Sequence, residues 1–236
     1  MGTDDSVPRR AQSLAQQTAR RVDRTVCLPS FRGRAKSLPS PRSKKSVAKV
    51  AKLIAYPWPH LIVDDFLPSA VLAQARSEIS ADTYDFGIEY RGTGRIEFSL
   101  LKSATLWRVI YSKKTVSLLS KAFGVTVKLN KNNWVQLRRM NENTPEFPLH
   151  NDFASGEDTI ASFLYLSSGW SHPCGGRLRL FESDKHPAAS ASIDPIENRF
   201  IAFRTKASHW HSVERVYGWE RLTALALWDV DGPALT

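Results

Sequence analysis

The sequence predicts an all-β core with flanking helices. Two helical patterns come first in the apolar part of the chain, between residues 68 and 125. From residue 132 onward the hydrophobic period falls from about 3.6 to about 2, and short alternating segments lie between turn-forming residues. Helices followed by many closely spaced short strands are typical of a barrel or sandwich supported by helices.

The N-terminal half of the domain predicts one strand and two helices. The β-branched segment 61–63 predicts a strand. A helix should follow over 68–79, because this segment opens with Pro-Ser and its apolar side chains then recur at helical spacing. Residues 82–104 are polar with three glycines and predict a loop or an irregular strand. An apolar stripe over 105–125, ended by Gly124, predicts a second helical segment.

The C-terminal half predicts six strands, connected by segments that carry Gly, Pro, Asn, Asp and Ser. The six segments are 132–140, 159–167, 176–183, 198–205, 209–217 and 221–230.

The first 52 residues differ from the rest in charge and composition. They hold 13 of the 33 basic residues and three of the 23 acidic residues, which accounts for the whole net charge of +10. Because apolar residues are sparse there, we expect a disordered basic tail over 1–52 and a folded domain over 53–236. Organelle targeting, or contact with nucleic acid or an anionic surface, is the alternative to a merely solvated tail.

The rest of the chain is neutral, so its charge gives no reason to expect nucleic-acid binding by the domain. No apolar segment approaches the roughly 18 residues that suggest a membrane span, and the start has no apolar signal region. We therefore expect a cytoplasmic protein without a transmembrane segment. The oligomeric state stays open.

His150 and Asp152 are the first candidate site residues. Residues i and i+2 of an extended segment project to the same side, so both can reach one ion while Asn151 points away. Together with a second histidine they would form the two-histidine, one-carboxylate set that suits non-haem Fe(II) and leaves coordination positions open. His209 and His211 lie several strands later and share one face by alternation, so spacing leaves both as candidates for the third ligand.

The order of motifs resembles the Fe(II)/2-oxoglutarate-dependent oxygenases, specifically the prolyl-4-hydroxylase-like group. His150-x-Asp152 is followed by SFLYL, GGRLRLF, NRFIAF and HSV, and then by Arg221, ten positions after His211. The segment PWPHLIVDDFLP and the helix after it are also similar to the start of this family's domain. The resemblance covers about residues 56–231 and implies a double-stranded β-helix, a jelly-roll fold that is cupin-like.

The resemblance also implies roles for single residues. His150, Asp152 and His211 would be the catalytic iron ligands, and Arg221 would bind the far carboxylate of 2-oxoglutarate. A guanidinium suits this role because it offers two parallel donors and a charge that it does not lose. Thr223, two residues along the same strand, would add a hydroxyl donor.

The implied cofactors are Fe(II), 2-oxoglutarate as co-substrate and O₂, and the resemblance also allows ascorbate. Asp152 favours hydroxylation, since halogenating relatives lack this carboxylate. Relatives often place a tyrosine on the strand after His-x-Asp to touch 2-oxoglutarate. Tyr165 stands one position away from the expected place, which Leu164 occupies, so Ser162 and Leu164 are expected to line the pocket. On the preceding strand, the residues predicted to face the substrate are Trp134, Gln136 and Arg138.

The favoured function is hydroxylation of an unactivated C–H bond in a small molecule, such as an amino acid or a biosynthetic intermediate. One alternative is a hydroxylase of a protein or peptide side chain. An alternative of another class is a non-catalytic barrel whose basic tail binds nucleic acid or an anionic surface.

Overall fold

The computed structural model describes residues 51–91, 94–128, 134–153 and 158–233. The predicted tail lies outside these residues, apart from Ala51 and Lys52. These two belong to the first strand, which begins two residues before the predicted domain boundary.

The described residues form three helices and 13 strands. The helices are α1 (Ser69–Ala81), α2 (Ala104–Ile110) and α3 (Lys113–Phe123). The strands are β1 (Ala51–Ile54), β2 (His60–Val63), β3 (Gly87–Arg91), β4 (Gly94–Leu100), β5 (Val125–Val127), β6 (Val135–Met140), β7 (Phe147–His150), β8 (Thr159–Tyr165), β9 (Leu178–Phe181), β10 (Ala191–Ile193), β11 (Phe200–Arg204), β12 (Trp210–Val213) and β13 (Arg221–Pro233). No helix in this described part is long and apolar enough to cross a membrane.

The strands form two sheets that enclose the barrel interior. The larger sheet has the order β1-β2-β11-β8-β13-β6-β4-β3, and β5 pairs with the far part of β13. The smaller sheet has the order β10-β9-β12-β7. From β6 to β13 the chain passes back and forth between the two sheets, with β9 and β10 as the one consecutive pair in the same sheet, which is the winding of a double-stranded β-helix. The predicted fold class is confirmed.

Each side of the larger sheet carries its own hydrophobic core. Residues such as Leu137, Leu164 and Ala224 belong to a cluster that packs beneath the helices. Their neighbours Phe163 and Leu225 belong to a second cluster, which lies between the two sheets. Because alternate side chains of a strand point to opposite faces, the second cluster and the polar residues in its rows line the barrel interior.

Two segments differ from the sequence-based expectation. Within residues 82–104, β3 pairs with β4 in antiparallel fashion, and β4 extends the larger sheet along β6. The helical pattern at 105–125 divides into α2 and α3 at Tyr111 and Ser112. The Ser112 side chain accepts a hydrogen bond from the backbone N–H of Thr115, so it caps a new helix.

Candidate functional site

The two histidines of the site face each other across a strand pair of the smaller sheet. His150 is the last residue of β7, and it lies directly opposite His211 of β12. Their ring centroids are 4.2 Å apart. Strand pairing therefore brings together two residues that are 61 positions apart in the sequence.

Asp152 follows β7 and completes a three-residue cluster. Its carboxylate oxygens lie 3.7 Å from Nε2 of His150 and 3.3 Å from Nε2 of His211. One ligand atom from each of the three residues lies within 4.8 Å of the others. Among the described residues this is the one cluster of His, Cys, Asp and Glu with that property, and its donor types fit a divalent metal such as Fe(II).

Backbone carbonyls orient both imidazole rings. The Nδ1 atom of His150 lies 2.8 Å from the Pro148 carbonyl oxygen, and that of His211 lies 3.0 Å from the His209 carbonyl oxygen. Because a carbonyl can only accept, each Nδ1 carries the proton and donates it. Each Nε2 lone pair is thereby left free to bind a metal ion. In metalloproteins generally, a hydrogen bond from the other ring nitrogen orients the ligating histidine in this way.

The protonation states of His150 and Asp152 favour the binding of a cation. Burial and the neighbouring His211 together lower the pKa of His150 to about 4, so the ring is neutral near pH 7. Burial alone would raise the pKa of Asp152. The contacts with His211 and His150 and the positive charge of Arg138 outweigh burial and hold the pKa of Asp152 below its usual range, so the carboxylate is ionised.

His209 lies outside this cluster. Its ring stacks on Trp58 with centroids 4.6 Å apart, and its Nδ1 donates to the Arg204 carbonyl. It precedes β12, so strand alternation does not govern its direction. The structure thus places His211, and not His209, beside His150.

The remaining histidines lie away from the cluster. His60 is buried against the Trp58 carbonyl, His172 contacts Arg177, and His186 is exposed and contacts the Ala188 carbonyl.

Three buried polar side chains meet on the interior face of the larger sheet. Thr223 of β13 lies directly opposite Tyr165 of β8, and the Arg221 guanidinium lies 4.9 Å from the centre of the Tyr165 ring. Nε of Arg221, Oγ1 of Thr223 and the Tyr165 hydroxyl are all buried without a hydrogen-bond partner in the described structure. Buried polar atoms are costly unless they are paired. We call the donors of Arg221, Thr223 and Tyr165 the cradle. A carboxylate fits the cradle, because it would accept a hydrogen bond from each of the three.

Two consecutive glycines let the chain pass close to Arg221. A Cβ at Gly175 would lie 2.2 Å from the Arg215 carbonyl oxygen, a distance that no side chain tolerates. A Cβ at Gly176 would lie 3.3 Å from Cδ of Arg221, and this residue has a φ of +72°. The Gly-Gly pair of the sequence therefore has a structural reason, since it allows the chain to close over the arginine stem.

The expectation that Ser162 and Leu164 line the pocket is wrong. Leu164 packs in the cluster beneath the helices, and Ser162 donates to the Ala226 carbonyl. Tyr165 instead faces the barrel interior beside Arg221 and Thr223, in the place that the sequence assigned to position 164. The sequence offered little indication of which β8 side chains face the interior. Every residue of β8 after Thr159 is buried, so polar and apolar residues do not alternate along the strand.

The three residues predicted to touch substrate lie in different surroundings. Arg138 lies directly opposite Thr223, and it lines the same cavity as the histidine cluster. Gln136 is buried, and its Oε1 accepts from Nε of Arg138 at 2.8 Å. Trp134 is 42% exposed and does not line this cavity.

One cavity joins the two halves of the site. It is lined by His150, Asp152 and His211 on one side and by Arg221 and Thr223 on the other. Apolar side chains contribute the rest of its wall, among them Phe147, Phe163, Leu178 and Val213. The arrangement can therefore hold a metal ion and a carboxylate-bearing molecule in one partly apolar space.

Residues 135–228 match the family model of the 2OG-Fe(II) oxygenase superfamily, where 2OG stands for 2-oxoglutarate. Enzymes of this superfamily use Fe(II), 2-oxoglutarate and O₂. The two imidazoles and one carboxylate of the cluster are donors that fit Fe(II). No curated protein matches the chain.

Several solved structures share the fold at low sequence identity. A prolyl-4-hydroxylase from Pseudomonas putida is 18% identical, with a TM-score of 0.55 over 73% of this chain and 93% of its own. A prolyl hydroxylase from Trichoplax adhaerens, solved with a hypoxia inducible factor peptide fragment, is 17% identical, with a TM-score of 0.54 over 73% and 83%. The epimerase SnoN from nogalamycin biosynthesis is 13% identical, with a TM-score of 0.53 over 72% and 78%.

Proposed function

We propose that the domain built around β6 to β13 is a 2OG-Fe(II) oxygenase that hydroxylates an unactivated C–H bond of a small molecule. The observation that carries this proposal is the shared cavity. A facial set of two imidazoles and one carboxylate opens into the same space as a cradle of unpaired donors. A non-catalytic barrel would gain nothing from leaving those donors buried and unpaired.

We assign the metal-holding role to His150, Asp152 and His211. The two Nε2 atoms and one carboxylate oxygen leave the remaining positions of a six-coordinate ion open. Phe147 and Phe203 fix the rings by edge contacts, with centroids 4.5 Å from His150 and 5.0 Å from His211. The chain thereby holds its ligands in place before the metal binds.

The 2-oxoglutarate role falls to Arg221, Thr223 and Tyr165. Arg221 would pair with the far carboxylate of the co-substrate, and the two hydroxyls would donate to the same group. A charge-assisted hydrogen bond in a buried site is stronger than a neutral one, so this cradle should supply much of the co-substrate affinity.

Bound iron, with 2-oxoglutarate and O₂, supplies the oxidising chemistry that a hydroxylation needs. The chain's own part is to hold the metal and the co-substrate, to orient them and to shield the site from water. Phe163, Leu178 and Val213 narrow the space around the cluster and limit the entry of water. Asp152 would occupy one position on a bound metal, which would leave no place there for a halide and would favour hydroxylation.

Two observations bear on the kind of substrate. The domain has no net charge, so its charge gives no reason to expect a charged polymer as substrate, which favours a small molecule. The fold neighbour SnoN acts in a biosynthetic route to a small molecule. A peptide side chain is the second candidate, because another fold neighbour was solved with a peptide fragment.

The direct test is a substrate screen read by succinate release. Purified protein, Fe(II), 2-oxoglutarate and O₂ are incubated with a panel of amino acids, biosynthetic intermediates and peptides. We expect at least one small molecule to stimulate succinate formation and to gain one oxygen atom by mass spectrometry.

Asp152→Ala is the matched inactive control, and it should release no succinate above background. If no member of the panel stimulates turnover, or if only peptides do, the small-molecule proposal is wrong. If Asp152→Ala is as active as the wild type, the assigned metal site is wrong.

A further inference from the structure

Besides Arg221, three arginines line the cavity: Arg95, Arg138 and Arg139. Arg95 and Arg139 pair with Glu97, whereas neither Glu97 nor the 2-oxoglutarate cradle accounts for Arg138. It projects from β6 to the interior face, directly opposite Thr223. It lines the cavity together with Asp152, His150 and His211. Its position is therefore on the face where the metal cluster and the cradle meet.

The donors of Arg138 are largely uncommitted. Nε donates to Oε1 of Gln136 at 2.8 Å, which fixes the plane of the guanidinium. For its two terminal nitrogens, the described residues provide no hydrogen bond and no ion pair. By contrast, Arg139, the next residue on β6, also lines the cavity but pairs with Glu97 at 3.1 Å.

The charge of Arg138 has no counterpart in the loaded site. Burial, together with the like charges of Arg91 and Arg221, lowers its pKa to about 10, although Asp152 opposes this shift. Arg138 therefore remains protonated at neutral pH. Arg91 and Glu89, which also act on it, pair with each other at 3.0 Å.

A comparison of the formal charges in the loaded site shows that a negative group is lacking. Fe(II) and Arg221 would together balance Asp152 and the two carboxylates of 2-oxoglutarate. Arg95 and Arg139 share the single charge of Glu97, so the positive charge of Arg138 is left over together with one more. A cation held partly buried without an anion is unfavourable, so the site is electrostatically complete only when a further negative group enters.

We propose that Arg138 binds a carboxylate of the substrate and so selects acidic small molecules. The inference rests on the proposed function, because it takes the metal and 2-oxoglutarate as already in place. A carboxylate matches the two free terminal nitrogens of a planar guanidinium and supplies a negative charge beside it. Gln136 is the positioning residue, since it holds Nε and leaves the fork facing the cavity.

The test uses acetate as the probe, with acetamide as its neutral match. Protein is loaded with Mn(II), a paramagnetic ion of the same charge as Fe(II), and with saturating 2-oxoglutarate. Relaxation of the methyl protons of each probe is measured by NMR. We expect the wild-type protein to enhance acetate relaxation several-fold more than acetamide relaxation.

Variants at two neighbouring positions identify the arginine responsible. Arg138→Gln should reduce the acetate enhancement to the acetamide level, and Arg138→Lys should retain part of it, because lysine keeps the charge but loses the fork. Arg139→Gln removes the same charge from an arginine that also lines the cavity but is already paired with Glu97, and it should leave the acetate effect unchanged. Thermal unfolding of each variant checks that it is folded.

Separate outcomes overturn this inference and the proposed function. Equal enhancement of acetate and acetamide, or an acetate effect that Arg138→Gln does not change, would overturn the role of Arg138 alone. The Kd for 2-oxoglutarate should stay within about threefold in Arg138→Gln. A loss as large as that in Arg221→Gln would assign Arg138 to the co-substrate site instead. Failure of the wild type to bind metal and 2-oxoglutarate would overturn both.

Discussion

At the scale of single residues, the most informative feature is a set of donors that the described structure leaves unpaired. Tyr165, Thr223 and Arg221 each bury a polar atom without a partner. Folded chains rarely leave such atoms unpaired, because each costs about 1–3 kcal/mol. The cost is explained if a ligand completes the bonds.

Tyr165→Phe tests the ligand role of the hydroxyl. Phenylalanine keeps the ring and removes only the unpaired oxygen. We expect the Kd for 2-oxoglutarate to rise about tenfold, since a hydrogen bond to a charged group contributes about 1.5–3 kcal/mol, and we expect no loss of stability. Calorimetric titration under anaerobic conditions measures the affinity.

Tyr111→Phe is the matched control. Its hydroxyl donates to the Trp134 carbonyl beneath the helices, 3.0 Å away. This variant should lose about 1 kcal/mol of stability and keep its affinity for 2-oxoglutarate. If Tyr165→Phe binds 2-oxoglutarate as tightly as the wild type, Tyr165 is not part of the cradle.

The His-x-Asp spacing could be recognised in the sequence because its logic is local. Residues i and i+2 of an extended segment share a side whatever the rest of the fold does. The place of Tyr165 depends instead on the register of β8 between β11 and β13. A strand that is buried on both faces carries no polar alternation from which that register can be read.

At the scale of elements, helix α1 holds the start of α2. The carboxylate of Glu78 on α1 accepts hydrogen bonds from the Ser103 hydroxyl at 2.6 Å and from the backbone N–H of Thr105 at 3.2 Å. It also accepts from the Thr105 hydroxyl. Ser103 is itself the N-cap of α2. These contacts explain why α2 is a separate short helix beneath the larger sheet.

Glu78→Gln should weaken this junction. An amide offers one acceptor oxygen where the carboxylate offers two, so at pH 7 we expect the Tm to fall by a few degrees. Hydrogen bonds from Ser103 and Thr105 lower the pKa of Glu78 from 4.5 to about 2. The stabilisation is therefore fully present above pH 4.5 and is lost as the pH falls towards 2.

Unfolding curves of the two proteins across this pH range give the readout. The stability gap between wild type and Glu78→Gln should close between pH 4.5 and about 2. Glu89→Gln, which removes an exposed partner of Arg91, should change stability little at any pH. A gap that does not depend on pH would show that the charge of Glu78 does not stabilise the junction.

Local patterns predicted most strands but missed those that depend on distant partners. The alternation in 221–230 predicted β13, and the alternation in 198–205 predicted β11. β5 and β10 have three residues each, too few for a period to be recognised. The antiparallel pair of β3 and β4 lacked a clear signal because β3 is exposed on most of its length.

At the scale of the whole molecule, the double-stranded β-helix brings the two ends of the site together. The smaller sheet supplies His150 and His211, and the larger sheet supplies Arg221, Thr223, Tyr165 and Arg138. Because the sheets face each other, metal ligands and anion-binding residues open into one cavity. The sequence order of the motifs has functional meaning only through this winding.

The most direct measurement of the central claim is an anaerobic titration with Fe(II) followed by 2-oxoglutarate. The wild type should bind one Fe(II) per chain, and 2-oxoglutarate should then produce a weak visible charge-transfer band. His211→Ala should lose both signals, whereas His209→Ala should keep them, because the structure sets only His211 beside His150 and Asp152. A wild-type protein without the band, or a band that survives in His211→Ala and disappears in His209→Ala, would contradict the account.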